Sequence, residues 1–147
     1  MFGCDACLDA CPVGANRFES HHDFVPASVE DARPVLRDLL VLDGAAFAER
    51  FRGRAIIRAK RDGLVRNACI ALGNGGASED LPALFGALDD RSSLVRGHAA
   101  WGIGRLAARC GLAAEAALAL ETVRAVEQDS WVREELEMAL AELRAGG

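Results

Sequence analysis

Proline is scarce in this sequence, with 4 residues in 147, and the net charge is a modest −5. Such a chain is not a disordered, charge-swollen polymer, because 51% of its residues are hydrophobic and supply a core. No apolar stretch approaches the roughly 20 residues of a membrane span. Arg, Asp or Gly breaks each one well short of that length. The opening MFGCDACLDACP lacks a basic segment followed by an apolar one, so no secretory signal is visible. The simplest placement is a soluble protein of the cytoplasm. Alternating apolar–polar runs are missing, which argues against strands. No nucleophile–base pair, phosphate-cradling glycine loop or paired carboxylates stand out, so no catalytic residue is assigned. Gly73-Asn74-Gly75-Gly76 follows a helical pattern rather than a strand, and reads as a helix end and turn.

What is present from about residue 34 onward is helical periodicity. Leu36, Leu39, Leu40 and Val41 form an apolar stripe, and Asp43 is placed to cap a short helix holding Phe47 and Phe51. The next helix is expected to begin near Asp62, with Leu64, Ala68, Cys69, Ala71 and Leu72 on its buried face. Ser78, Ser92 or Ser93, and Ser130 are the expected caps of three later helices, with another near 113–127, and Asp62, Asp90 and Asp129, shortly before the repeat anchors, are also placed to cap the second helix of each pair. These elements repeat. Offsets counted from Leu64, Val95 and Val132, anchors 31 and 37 residues apart, bring apolar and small residues into line. The LVR at 64–66 is one residue out of register with that apolar match, and the apolar register is the one adopted. The spacing suits stacked helix pairs. Residues 60–145 resemble short HEAT repeats, so the expected fold is all-α, a HEAT-like helical-repeat solenoid.

The modest net charge hides an asymmetry. Residues 50–66 carry Arg50, Arg52, Arg54, Arg58, Lys60, Arg61 and Arg66 against Asp62 alone, a local net of +6. Residues 112–147 carry eight acids against three arginines, a local net of −5. A basic stripe on an acidic protein can mark where a phosphate backbone docks.

Three of the five cysteines crowd into eight residues, as Cys4-x₂-Cys7-x₃-Cys11-Pro12. Clustered thiols in a reducing compartment read first as metal or cluster ligands. In the two-cluster ferredoxin run, the Cys before Pro ligates the other cluster. On that reading Cys4 and Cys7 serve one cube and Cys11, turned away at Pro12, serves a second. The complete run carries one more Cys, whose place is taken here by Met1. The three thiolates therefore complete neither cluster. Zinc is the rival, since C-x₂-C is half a zinc site, but Cys69, Cys110 and His21-His22 supply no matching half. A role outside metal binding also stays open. Cys69 and Cys110 read as packing residues, and His21 and His22 as loop residues.

In order, the motifs narrow the reading. Met1-Phe2-Gly3-Cys4-Asp5-Ala6-Cys7 leads to Cys11-Pro12 and Asn16-Arg17-Phe18. Later come Arg58-Ala59-Lys60-Arg61-Asp62-Gly63-Leu64-Val65-Arg66-Asn67-Ala68 and Leu94-Val95-Arg96-Gly97-His98-Ala99-Ala100-Trp101. This order resembles the C-terminal portion of the epoxyqueuosine reductase family, which completes queuosine on tRNA. The resemblance divides the chain into a partial ferredoxin-type [4Fe-4S] segment, 1–24, and a HEAT-like domain, 25–147. It implies that Cys4, Cys7 and Cys11 are [4Fe-4S] ligands, an incomplete set here. It implies cobalamin only for an N-terminal reductase domain with no counterpart in this sequence, so the chain reads as a fragment or truncated product. By itself it is expected not to be catalytic. Val13-Gly14-Ala15 depart from the family's Pro-Trp-Asn. The implied partners are that missing domain and a tRNA anticodon stem-loop. Arg58, Lys60, Arg61 and Arg66, then Arg96 and His98, are the expected tRNA contacts, because cations meet backbone phosphates. Trp101 reads as packing. The alternative is a HEAT-type protein-interaction module with vestigial cysteines, its acidic last repeat facing a basic partner. A free-standing ferredoxin-like carrier is disfavoured by the cysteine count.

Overall fold

The structure, a computed structural model, describes Ala10, Pro12 and residues 28–145. Cys4, Cys7, Cys11, His21 and His22 lie outside the described residues, so the expected ligand geometry does too. Among the described residues, all regular structure is helical. The short α1 (Val29–Ala32) and α2 (Leu36–Leu40) precede α3 (Gly44–Arg50). A 3-10 turn at Ala55–Ala59 runs into α4 (Lys60–Gly75), and a second at Ser78–Asp80 runs into α5 (Leu81–Ala87). Then follow α6 (Ser93–Cys110), α7 (Ala113–Val126) and α8 (Ser130–Ala145).

The long helices α4, α6 and α8 form one layer, with α6 packed against both others. The shorter α2, α5 and α7 cover them in turn. The long helices run in one direction. At their N-terminal ends Arg61 of α4 bonds Asp90, just before α6. At their C-terminal ends Arg109 of α6 donates to the Gly73, Asn74 and Gly76 carbonyls that end α4. Burial follows the apolar register: Leu64, Ala68 and Leu72, then Val95, Ala99 and Ile103, then Val132, Leu136 and Leu140 are all buried. Small residues set how close the layer packs. A Cβ on Gly102 would lie 2.9 Å from the Cys69 carbonyl oxygen, so the α4–α6 crossing requires glycine there.

Several caps differ from expectation. Asp43 accepts from the Ala46 N–H at 2.7 Å, as read from the sequence. At α8 the cap is Asp129, as its place before the anchor implied, and not Ser130: it accepts from the Trp131 and Val132 N–H groups at 3.0 and 3.2 Å. At the second 3-10 turn Asp80, not Ser78, makes the side-chain bond, accepting from the Ala77 N–H at 2.9 Å. A carboxylate adds favourable charge against the helix dipole, which a hydroxyl does not. The helix expected to begin near Asp62 starts at Lys60, and Asp62 sits inside its first turn.

Candidate nucleic-acid interface

The N-terminal ends of the long helices make one edge of the molecule, and the basic stripe folds onto it. The 3-10 turn carries Arg58 to the start of α4, where it is exposed. Lys60 follows with φ 57° and ψ 165°, a conformation that ordinary side chains rarely adopt. This kink turns successive cations in different directions. Lys60 stays exposed, while Arg61 turns into the inter-repeat gap, its side chain 12% exposed. Arg61 Nε donates to the Leu42 carbonyl at 2.8 Å, one terminal nitrogen donates to Asp90 Oδ1 at 2.7 Å, and the other pairs with Asp90 Oδ2. Asp62 adds a contact at 3.2 Å. Burial works to push the Asp90 carboxyl up, but the Arg61 fork and the Ser92 N–H together hold it below the usual carboxylate value.

The next repeat has a similar device. Arg96, with a side chain 18% exposed, forks onto Glu127 at 2.7 and 2.9 Å and donates to the Asp90 carbonyl at 2.9 Å. The Arg96 bonds hold the Glu127 carboxyl down at about 2 against the opposing effect of burial. Arg61 and Arg96 thus join neighbouring repeats. Arg66 is half-buried, and its Nε donates to Asn67 Oδ1 at 3.0 Å. No carboxylate of the described residues pairs with Arg58 or Lys60 within ion-pair distance. His98 is half-buried one turn into α6, with Nδ1 2.8 Å from the Leu94 carbonyl and its ring 5.6 Å from Trp131.

The sequence reading missed Arg91. It sits between Asp90 and two serines, where local charge looks neutral or acidic. The fold draws Asp90 into the Arg61 fork and leaves Arg91 exposed on the same edge, near Gly44. Only the pairing of residues 29 apart in sequence exposes this signal.

No group of three or more His, Cys, Asp or Glu among the described residues is arranged to hold a metal ion. Cys69 does not fit as an extra cluster ligand. It is fully buried between α4 and α6, and burial pushes its thiol up to about 12.

A family model described as HEAT repeats matches residues 53–141. The chain belongs to the HEAT-repeat family. The matched HEAT repeats include the basic edge from Arg54 onward, α4, α6 and α8 as far as residue 141. An epoxyqueuosine reductase of Bacillus subtilis is 31% identical over 151 residues, covering 100% of this chain and 37% of that protein. One from Xanthomonas campestris is 35% identical over 108 residues, covering 71% of this chain and 30% of that protein. A solved epoxyqueuosine reductase with an epoxyqueuosine-modified tRNA-Tyr stem loop superposes with a TM-score of 0.84 at 30% identity, over 97% of this chain and 37% of that one. The resemblance read from the motifs is therefore shared by relatives of that name. The chain spans 30–37% of the length of these relatives. None of the described helices is long and apolar enough to cross a membrane.

Proposed function

We propose that this chain is the RNA-holding helical-repeat part of an epoxyqueuosine reductase, acting in the cytoplasm on a tRNA anticodon stem-loop. The observation that carries this reading is the edge at the start of α4, where Arg58 and Lys60 stand exposed without carboxylate partners among the described residues. Lys60, with its strained backbone, is the first residue of α4, whose N-terminal dipole favours an anion. Arg66 and Arg91 extend the cationic edge on either side. Arg61 and Arg96 act one step back: their forks fix the spacing of α4, α6 and α8, and hence the spacing of the phosphates the edge can hold.

On this reading Cys4, Cys7 and Cys11 would be thiolate ligands of [4Fe-4S] clusters, with the remaining ligands and the cobalamin supplied by the rest of the reductase. A bound cluster supplies one-electron transfer. This chain's described residues bind and orient the substrate RNA for reduction of epoxyqueuosine to queuosine.

The test is binding of an anticodon stem-loop over a salt series. Four phosphate contacts give a log–log slope of roughly −3 to −4, at about −0.7 to −0.9 per contact. Arg58→Ala with Lys60→Ala is expected to flatten it by about one to two units, with affinity lost for any stem-loop sequence. An unchanged slope removes this edge from the interface.

A further inference from the structure

The outward stripe of the long-helix layer has a chemistry different from that of its basic edge. On α6 the positions not fully buried include Leu94, His98, Trp101 and Arg105, spaced four, three and four apart along one face. On α4 the same register gives Gly63, Asn67, Ile70 and Asn74. Neither stripe carries a carboxylate. Arg105 is already drawn to Glu142 of α8 at 2.9 Å and lies over the Trp101 ring at 5.9 Å.

His98 is the polar centre of this stripe, and its hydrogen bonding is determined. The Leu94 carbonyl only accepts, so Nδ1, at 2.8 Å, carries the proton and donates. With Nδ1 donating, the uncharged tautomer of the ring presents a lone pair on Nε2. That atom has no partner among the described residues, yet none of their side-chain nitrogens or oxygens is buried without one, so the described residues do not bury Nε2. The Leu94 bond and Trp131, at 5.6 Å, fix the ring's direction.

We propose that His98 reads the ribose of the bound RNA, its Nε2 accepting a hydrogen bond from a 2′-hydroxyl. The inference rests on the RNA-binding reading above. Phosphate oxygens accept and do not donate, so an Nε2 lone pair is mismatched to a phosphate. The 2′-hydroxyl is the hydrogen-bond donor of the RNA backbone, and DNA lacks it. His98 stands on the second turn of α6, beside the α4 end that carries Lys60 and Arg66. A backbone whose phosphates lie along that edge brings its riboses onto this stripe. The edge supplies affinity, and His98 supplies discrimination of RNA from DNA.

The experiment pairs a scan of single 2′-deoxy substitutions through the stem-loop with three forms of the chain: unaltered, His98→Phe and His98→Gln. His98→Phe keeps a ring against Trp131 and removes the acceptor; His98→Gln restores an acceptor on a different frame. For the unaltered chain, one or two deoxy positions are expected to weaken binding about fivefold, the usual worth of one hydrogen bond. In His98→Phe the same positions are expected to show no effect, with the salt slope unchanged; in His98→Gln part of the effect returns. A scan identical in the unaltered and His98→Phe chains overturns the assignment and leaves the basic edge standing. Absence of stem-loop binding by the unaltered chain overturns both readings.

Discussion

Lys60 combines an exposed charge with a backbone conformation that glycine adopts without strain. A residue held there costs about 1–3 kcal/mol. Lys60→Gly is therefore expected to raise the melting temperature while weakening stem-loop binding, a pairing of opposite signs that a purely structural lysine would not give. Thermal denaturation and binding on the same sample check it. The Glu127 carboxyl offers a second test. Arg96 holds it at about 2, against an ordinary 4.5, so its contribution to stability is fully present above 4.5 and is lost as pH falls through about 2. Denaturant midpoints are expected to fall across that window. In Arg96→Met, stability at neutral pH should drop and the acid dependence between those values should flatten. An Arg96→Met chain with the same pH profile would show that the fork does not hold the carboxyl down. Of the residues predicted to contact RNA, sequence alone did not separate Arg61 and Arg96 from Arg58 and Lys60. All four are cations in basic or mixed surroundings, and their carboxylate partners, Asp90 and Glu127, lie about one repeat away in the chain.

At the scale of the helices, the layer depends on small residues at the crossings. Gly102 faces the Cys69 carbonyl, and Gly104 faces Ala139, to which an added Cβ would come within 3.0 Å. Gly102→Ala cannot be relieved by a side-chain rotation, because the atom it meets is backbone. It is expected to destabilise the chain by about 1–3 kcal/mol, seen as a lowered denaturant midpoint. Gly63→Ala, where an added Cβ meets nothing within 4 Å, serves as the control and should be neutral or stabilising. Equal effects of the two substitutions would rule out close packing as the reason for Gly102. The helices, their buried faces and their repeat spacing were legible in the sequence because periodicity is local. The caps were less so. Ser and Asp both favour helix starts, and which of the adjacent Asp129 and Ser130 reaches the free N–H groups depends on a shift of one residue.

Across the whole molecule, charge is sorted from one end of the stack to the other. The α4 end carries the basic edge, and α8 closes the far end with Glu134, Glu137, Ala141 and Arg144 exposed. Arg144 pairs with Glu121 at 2.9 Å and Arg124 with Glu137 at 3.6 Å, so the last helix pair satisfies part of its own charge. At 0.15 M salt, charges separated by more than about 8 Å are largely screened. Glu134→Gln with Glu137→Gln should therefore leave stem-loop affinity within about twofold. A large gain in affinity would mean that the RNA reaches α8.

The sequence by itself determined the all-α class, the register of the repeats, the family resemblance and the position of the basic stripe. Each of these is written in residues close together in the chain: 3.6-residue periodicity, glycine and aspartate at helix ends, and short motifs. Tertiary structure alone decided which cations are spent in holding repeats together and which face outward. It also placed Arg91 on the basic edge and left His98 Nε2 unburied by the described residues. These depend on pairings between residues about one repeat apart, or on which helix covers which face, and the physical reason is burial: a guanidinium taken out of water must find a carboxylate, while one left in water need not.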